Sequence, residues 1–223
     1  MGIEKKLIRQ SGESTPLSIY DCGVTEYRSM LDMQLDLIEK RIAGTIDNTV
    51  LLLEHLPTLT LGANKTKNIL LQTRENLAEE NIDIIDIRRG GGATAHNPGQ
   101  LVVYPIISLT SLDLGISEYI RQLEGIGIEL LKTLSITAGR VKGLPGLWID
   151  EKKIASLGVK IKRHITYHGM AINLTNDLAI FNNIVPCGIE NVRMTSAERQ
   201  TQTPIDMEMV KQTLADIIMG LWA

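Results

Sequence analysis

The chain has 223 residues, of which 43% are hydrophobic and 22% are charged, as in an ordinary globular protein. A formal net charge of −3 excludes a general electrostatic attraction to nucleic acid or to acidic membranes. Two cysteines are too few for a disulfide framework, and no apolar run reaches the roughly 18 residues of a membrane-spanning helix. Since the N-terminus also lacks the apolar core of a signal peptide, we expect a soluble protein of the reducing cytoplasm.

The first half of the chain is predicted to begin with a loose polar tail over residues 1–16. After it, the spacing of apolar residues predicts a mixture of strands and helices. These elements are a strand at 17–20, a helix at 25–42, strands at 48–54 and 59–62, a short helix at 74–80 and a strand at 82–87.

In the second half, a glycine-rich loop at 88–100 leads into an apolar strand at 101–107, and the clearest helical stripe covers 116–134. Beyond a turn-rich segment at 139–146, the pattern predicts strands at 147–150, 153–162 and 165–174, and a last helix from Met207. Several strands are close enough in sequence to pair antiparallel. We therefore predict one α/β (α+β) domain over residues 1–223, with a mixed β-sheet and packed helices.

Cys187 lies between a proline and a glycine, and Lys153 precedes it as a candidate basic partner. A thiolate is the nucleophilic form of cysteine, and a nearby ammonium group stabilises it. The pattern favours Cys187 as the nucleophile of an acyl-transfer enzyme, with Lys153 beside it. The alternatives are a buried structural thiol, which we expect for Cys22, and a solvated lysine at a strand edge.

The loop at 88–100 combines three consecutive glycines with basic residues. Glycines let a backbone approach a ligand closely and expose its N–H groups. The spacing matches neither a phosphate-binding loop nor a dinucleotide-binding turn. Three glycines alone favour a flexible hairpin loop, whereas Arg89, His96 and the Pro98-Gly99-Gln100 segment favour a binding loop.

Two further features bear on ligands and partners. None of the four histidines has metal-ligand spacing with a cysteine or another histidine, so no metal site is predicted. Residues 140–168 contain seven basic side chains against Asp150 and Glu151, a local excess of about five positive charges. This excess indicates either a solvated hairpin or a docking patch for an acidic protein; few aromatic residues accompany it, which disfavours nucleic acid.

Taken in order, four segments resemble the lipoyl(octanoyl) transferase family. They are Arg89-Gly90-Gly91 through Gln100, Lys153 to Gly158, Thr166-Tyr167-His168-Gly169, and Pro186-Cys187-Gly188. Glu54-His55 with Thr60-Leu61-Gly62, and the later Thr195-Ser196, extend the likeness over roughly residues 17–200. An ordered set of this length is more specific than any single motif.

The resemblance implies the biotin/lipoate protein ligase-like fold and the transfer of an octanoyl group from octanoyl-acyl carrier protein to a lysine of a lipoyl domain. Cys187 would carry the acyl thioester, and Lys153 would stabilise the thiolate and then handle protons. The implied acceptors are lipoyl domains of 2-oxoacid dehydrogenase complexes and the glycine cleavage H protein. No cofactor is implied, because a thioester donor is already activated. Neither nucleic acid nor a membrane is an expected partner.

The resemblance also implies a substrate-binding pocket built from three segments, whose backbone N–H groups are expected to stabilise the oxyanion. The implied binding residues are Arg89, Gly90, Gly91, Gly92, Ala93, Thr94, Ala95, His96, Ser156, Leu157, Gly158, Gly169, Met170 and Ala171. His168 is a further candidate, although a lone histidine in a strand is more often a structural hydrogen-bonding residue.

The chain departs from the family pattern at three positions. Ala95 replaces the usual aromatic residue, Asn97 a common glycine and Leu56 a common proline. These changes leave Cys187 and Lys153 in place, so they bear on acyl-chain preference and not on the reaction class. Two alternatives stay open: an ATP-dependent lipoate–protein ligase, whose Gly-Gly-Gly loop is similar, and a non-catalytic module that binds acyl carrier protein.

Overall fold

The computed structural model describes residues 4–11 and 16–223. Within these ranges the strands are β1 (Lys6–Gln10), β2 (Leu17–Thr25), β3 (Asn48–His55), β4 (Thr58–Leu61), β5 (Asp83–Asp86), β6 (Thr94–His96), β7 (Gln100–Ile106), β8 (Gly139–Val141), β9 (Leu144–Ile149), β10 (Lys152–Lys162), β11 (Ile165–Asn173) and β12 (Arg193–Met194). The α-helices are α1 (Tyr27–Ile42), α2 (Arg74–Glu79), α3 (Ile116–Thr133), α4 (Ala197–Thr201) and α5 (Met207–Trp222).

Nine of these strands form one large sheet in the order β1-β2-β3-β7-β11-β10-β9-β8, with β12 paired to β10. The β2–β3 and β10–β12 pairs are parallel, and the other neighbours are antiparallel. A small sheet has the order β5-β4-β6. The prediction of a mixed sheet with packed helices is confirmed.

The central strands are buried on both faces, which explains why their sequences read as continuous apolar runs. In β3, Val50 and Leu52 belong to the cluster that contains the apolar faces of α3 and α5. Leu51 and Leu53 point the other way and pack with residues of α1. The period of two along the strand therefore divides the core into two layers.

Three sequence predictions about loops were wrong. The predicted tail contains β1, because Ile8 packs on the core cluster and Arg9 pairs with Asp216 of α5 at 2.8 Å. The loop at 88–100 contains β6, and the turn-rich segment at 139–146 contains β8 and the start of β9. Residues 1–3 and 12–15 of the predicted tail lie outside the described ranges. No helix in the described parts of the chain is long and apolar enough to cross a membrane.

Candidate active site

Cys187 occupies a short 3₁₀ turn, Pro186–Gly188, and has the left-handed backbone angles φ 57° and ψ 14°. This conformation is uncommon for a residue other than glycine, and such strained residues cluster at functional sites. Three backbone hydrogen bonds hold the turn: the Cys187 N–H donates to Ala93 O at 2.8 Å, the Gly188 N–H to Val185 O at 3.0 Å and the Ile189 N–H to Pro186 O at 3.0 Å. The thiol is held in place and remains partly exposed.

Lys153 lies near the start of β10 and is only 1% exposed. Its Nζ atom is 3.4 Å from the Cys187 Sγ atom and 5.3 Å from the centre of the Trp148 ring. Within the described residues no carboxylate forms an ion pair with this ammonium group. The Cys187 sulfur is therefore the partner available to stabilise a positive charge on this buried side chain. The sequence-based pairing of the two residues needs such a contact.

Gly146 provides the space that the Lys153 side chain occupies. A Cβ atom at this position would lie 2.3 Å from Ala155 O and 2.6 Å from Cε of Lys153, and the glycine has φ +118°. Only glycine meets these conditions without moving the lysine or the β10 backbone. Sequence reasoning placed Gly146 in a turn-rich segment and missed its connection with Lys153.

Arg89 brings a second buried positive charge to the site. Its guanidinium group donates to both oxygens of Thr60, at 2.8 Å from Nη2 to each, and to Gly90 O at 3.0 Å. All of these acceptors are neutral, and across the described part of the chain no carboxylate pairs with the arginine. Burial lowers the pKa of Arg89, while Tyr27 and Cys187 act in the opposite direction.

Behind Cys187 lies a cavity of about 20 Å³, which we call the inner pocket. Its lining residues are Tyr27, Arg89, Thr94, His96, Val102, Tyr104, Ser156, Leu157, Gly158, His168, Gly169, Met170, Ala171 and Cys187. The volume is close to the space of a single water molecule. An acyl chain can therefore enter only if flanking side chains move.

The rings around the inner pocket are polar but uncharged at neutral pH. Burial lowers the pKa of His55 to about 4 and lowers that of His96, whereas burial raises the pKa of Tyr27 to about 12. His55 Nε2 lies 2.9 Å from the Tyr104 hydroxyl oxygen. The histidine and tyrosine rings therefore supply neutral hydrogen-bonding groups, and Arg89 is the one charged side chain in the lining of this pocket.

The tautomer of His96 follows from its neighbour Gln100. The Gln100 amide nitrogen donates to Ala95 O at 3.1 Å and to Asn173 Oδ1 at 2.9 Å, so Gln100 Oε1 is the acceptor of the 2.7 Å contact with His96 Nδ1. His96 Nδ1 therefore carries the proton. Its Nε2 atom is buried and has no hydrogen-bond partner among the described residues.

His168 reaches the pocket because its backbone is left-handed, with φ 52°. Consecutive strand residues normally point to opposite faces, but here the His168 ring stacks on Tyr167 with ring centres 4.8 Å apart. The His168 N–H donates to Gln34 Oε1 at 2.8 Å. Burial, and then the charges of Arg89 and Lys160, lower the pKa of His168 to about 3.

A second cavity of about 250 Å³, which we call the outer channel, also reaches Cys187. Its lining residues are Lys67, Gly90, Gly91, Ile120, Gly143, Leu144, Pro145, Leu157, Gly158, Val159, Cys187 and Ile189. Leu157 and Gly158 line both cavities. The thiol thus lies where a small buried pocket and a wider apolar channel meet.

Comparison with known proteins identifies the family. The model of the lipoyl protein ligase A/B catalytic domain matches residues 26–218. The chain belongs to this family. An octanoyltransferase of Desulfovibrio desulfuricans is 41% identical over 193 residues, which are 86% of this chain and 81% of the relative. One of Alkaliphilus metalliredigens is 36% identical over 197 residues, which are 88% and 90% of the two chains.

Solved structures also share the fold of this chain. A P. falciparum protein crystallised in complex with lipoate has a TM-score of 0.70 at 16% identity, over 91% of this chain and 62% of its own. A putative lipoate protein ligase from T. acidophilum with bound lipoic acid has a TM-score of 0.67 at 15% identity, over 91% and 84%. These likenesses confirm the predicted lipoate protein ligase-like fold.

The structure distributes the predicted binding residues of this family member over two cavities. Nine of them line the inner pocket, namely Arg89, Thr94, His96, Ser156, Leu157, Gly158, Gly169, Met170 and Ala171. His168 joins them there, whereas Gly90 and Gly91 line the outer channel. The roles of these residues in binding remain predictions.

Gly92, Ala93 and Ala95 line neither cavity. The side chains of Ala93 and Ala95 belong to an aliphatic cluster with Phe181 and residues of β4. Along β6, Thr94 and His96 face the pocket, so Ala95 must face the opposite side. Ala95 therefore makes no contact with either cavity that would support the expected effect of this departure on acyl-chain preference.

Sequence reasoning missed three pocket residues. Tyr27, Val102 and Tyr104 line the inner pocket from the start of α1 and from β7. In the sequence, Tyr27 belongs to a helical apolar face and the other two belong to an apolar strand, so all three resemble ordinary core residues. The only available signal was the phenolic oxygens, since a buried tyrosine hydroxyl usually needs a partner.

Proposed function

We propose that this chain is an octanoyltransferase that carries the octanoyl group as a thioester on Cys187. The predicted octanoyl transfer in protein lipoylation is confirmed by its octanoyltransferase relatives and by its family, which also sets aside a non-catalytic binding module. One observation supports the thioester: the 3.4 Å contact between the buried Lys153 Nζ atom and the Cys187 Sγ atom, at the meeting point of two cavities.

In the first half-reaction, the Cys187 thiolate attacks the carbonyl carbon of the donor thioester. A carbon–sulfur bond forms at Cys187, and the bond to the donor sulfur breaks. The departing donor thiolate takes a proton from the Lys153 ammonium group, which becomes a neutral amine. One thioester replaces another of similar energy, so this step needs no ATP.

In the second half-reaction, the neutral amine of the acceptor lysine attacks the acyl carbon on Cys187. A carbon–nitrogen bond forms, the bond to Cys187 breaks, and the neutral Lys153 amine accepts the proton that the attacking nitrogen loses. The thiolate and the ammonium group are thereby restored together. Amide formation makes this half-reaction favourable.

Positive charge supports both half-reactions: the Lys153 ammonium group and Arg89 act in the first, and Arg89 acts in the second, which Lys153 enters as a neutral amine. Each attack places negative charge on the carbonyl oxygen, and fixed positive charge in a region shielded from water stabilises it strongly. Both side chains are buried, and neither has a carboxylate partner in the described ranges. We assign the acyl chain to the inner pocket, where the rings and apolar side chains are neutral and the Arg89 guanidinium group already donates to Thr60 and Gly90.

The proposed partners are an acyl carrier protein as the donor and lipoyl domains as acceptors, including those of 2-oxoacid dehydrogenase complexes and the glycine cleavage H protein. The family supports the lipoyl domain as acceptor, and a solved structure with this fold pairs a bipartite lipoate protein ligase with its E2 lipoyl domain.

We also propose a cytoplasmic location, because both cysteines are free thiols. Cell fractionation tests this location.

The decisive experiment mixes the protein with octanoyl-acyl carrier protein and analyses it by mass spectrometry. We expect one octanoyl group on the peptide that contains Cys187, and its transfer to the lysine when a lipoyl domain is added. Hydroxylamine should release the group, since it cleaves thioesters. Transfer at the full rate without a transient acyl-enzyme would contradict the proposal.

An ATP-dependent lipoate–protein ligase is the second candidate, because a ligase bound with ATP shares the fold with a TM-score of 0.67 at 16% identity. Such an enzyme forms an adenylate and needs no cysteine. Incubation with octanoate, ATP and a lipoyl domain, without carrier protein, separates the two. Octanoylation under these conditions would favour the ligase, and its absence favours the transferase.

A further inference from the structure

The outer channel and the inner pocket differ in how they meet solvent. The inner pocket extends behind Cys187 to side chains such as Tyr27, Tyr104 and His168, all of which are buried. The outer channel is bordered by the exposed residues Lys67 and Gly143. Exposed residues therefore line the outer channel, whereas none lines the inner pocket.

A carrier-bound thioester has one free end and one tethered end. The acyl tail ends in a methyl group and can be enclosed, but the pantetheine arm continues into a protein and must leave through an open passage. We infer that the outer channel binds the pantetheine arm of the acyl donor while the tail lies in the inner pocket. This inference rests on the proposed function and assigns a separate site to the donor arm.

The chemistry of the channel fits this arm. Apolar side chains, including Ile120, Pro145 and Ile189, line most of it and match the dimethyl group and methylenes of pantetheine. Lys67 supplies positive charge for the phosphate group at the outer end, and it pairs with no carboxylate in the described part of the chain. The volume of about 250 Å³ is near the lower end for small-molecule sites.

Lys67 is also fixed relative to the nucleophile. Its carbonyl oxygen accepts a hydrogen bond from the Ala93 N–H at 3.1 Å, and Ala93 O in turn accepts from the Cys187 N–H. A Cβ atom at Gly188 would lie 2.7 Å from Cβ of Lys67, so the two backbones are in close contact. A phosphate bound at Lys67 would hold the arm in a defined position beside the thiol.

The test blocks the channel and compares two donors. Ile120→Trp narrows the channel from α3, and Pro145→Trp narrows it from an exposed position where a failure to fold is not expected. The control, Ile116→Trp, lies one helical turn away and is 57% exposed. The donors are octanoyl-acyl carrier protein and 4-nitrophenyl octanoate, which has the same acyl group but no arm.

The nitrophenyl ester also has to pass the narrowed channel to reach Cys187, but it leaves no arm there, so the block should slow it less. Relative to the parent, we expect the blocked variants to lose at least about tenfold more of their acylation rate with the carrier donor than with the nitrophenyl ester. The control should match the parent with both donors. Equal slowing with both donors would mean that the channel makes no contact specific to the arm, and equal retention would mean that the arm lies elsewhere; either result overturns the inference. If the parent protein forms no acyl-enzyme with either donor, the proposed function fails, and this inference fails with it.

A second test addresses the phosphate. Lys67→Glu should raise KM about tenfold for octanoyl-phosphopantetheine and much less for octanoyl-pantetheine, which lacks the phosphate. The control is Lys65→Glu, which makes the same charge change in the same 3₁₀ turn, outside the channel lining. An equal effect of Lys67→Glu on both donors, or of both substitutions on the phosphorylated donor, would contradict a phosphate contact at Lys67.

Discussion

Two lysines are buried, each in a region that contains one of the two cysteines. The partners of their positive charges differ. Lys211 contacts both carboxylate oxygens of Asp21, at 3.0 and 3.2 Å, and lies 3.6 Å from Glu54. Lys153 has a thiol at 3.4 Å and, in the described residues, no carboxylate. The fold neutralises the charge of Lys211 with carboxylates and leaves Lys153 without one, which fits the role in the reaction that we propose for Lys153.

The two cysteines follow the same division. Cys22 is adjacent to Asp21, and burial, followed by the charge of that carboxylate, raises its pKa to about 12. Its thiol therefore stays protonated and unreactive. Cys187 is partly exposed, lies next to an ammonium group and has a strained backbone. The contrast shows that the surroundings of a thiol, rather than its presence, mark the nucleophile.

The largest expected effect comes from removing each thiol in turn. Cys187→Ala should lower octanoyl transfer by more than about 10⁴-fold, because the acyl group then has no attachment point. Cys22→Ala should leave transfer within a few-fold and cost about 1 kcal/mol of stability. A transfer assay with carrier donor and lipoyl domain, together with urea unfolding, measures both. Comparable loss of transfer in the two variants would remove the distinction between the thiols.

Exchanging the lysines for an apolar residue of similar length should separate activity from stability. Lys153→Met should lower transfer by about 10²-fold or more with little loss of stability, because a proton-transfer group is lost and an unpaired buried charge is removed. Lys211→Met should leave transfer nearly unchanged but cost roughly 3–5 kcal/mol, because two carboxylates lose their partner. Single-turnover acylation and urea unfolding of both variants check this reversal. The comparison fails if both variants lose mainly activity or mainly stability.

A smaller effect is expected at Gly146, where the fold makes room for Lys153. Gly146→Ala should displace the lysine and the β10 backbone at Ala155 and lower transfer by about tenfold, while the rate of Cys187 alkylation at neutral pH also falls. Gly44→Ala is the matched control, since Gly44 also has a positive φ, +71°, and a Cβ atom there meets nothing within 4 Å. Unchanged transfer in Gly146→Ala would show that the lysine tolerates the displacement.

Much of the architecture could be predicted because it depends on local pattern. The apolar runs predict β3 and β7, and the apolar stripe predicts α3, from the residue types alone. A strand buried on both faces has a continuous apolar run, and a helix buried on one face has an apolar stripe with the helical period. The proline–cysteine–glycine setting and the upstream lysine suggested the Cys187–Lys153 pair, and the resemblance to a family specified it. Short strands such as β8 are missed because their pairing depends on distant partners.

The division of the site into two cavities was beyond sequence reasoning for a related reason. Whether Gly90 faces the pocket or the channel depends on how the loop crosses β10, where its N–H donates to Val159 O at 3.2 Å. Similarly, the left-handed angle of His168 decides where its ring points. Neither backbone conformation can be predicted from the residue types themselves.

The smallest expected effect concerns mild acid, to which the region around Cys187 should be sensitive because its histidines are buried and neutral. The pKa of His168 is lowered to about 3, whereas an unfolded histidine titrates at about 6.5. Between these values the unfolded chain binds a proton that the folded chain excludes, so stability should fall as the pH decreases from about 6.5 towards 3. For this residue the loss should be on the order of a few kcal/mol at the acid end.

His164 is the natural control for this effect. It also has a left-handed backbone, with φ 65°, but it is exposed, and asparagine tolerates that conformation at both positions. Urea unfolding between about pH 7 and pH 4.5 should show a weaker pH dependence in His168→Asn than in the parent chain, and no change in His164→Asn. If His168→Asn loses stability in acid as steeply as the parent does, the histidine at this position is not held neutral by the fold. The assignment of the acyl chain to a pocket with neutral rings would then lack one of its supports.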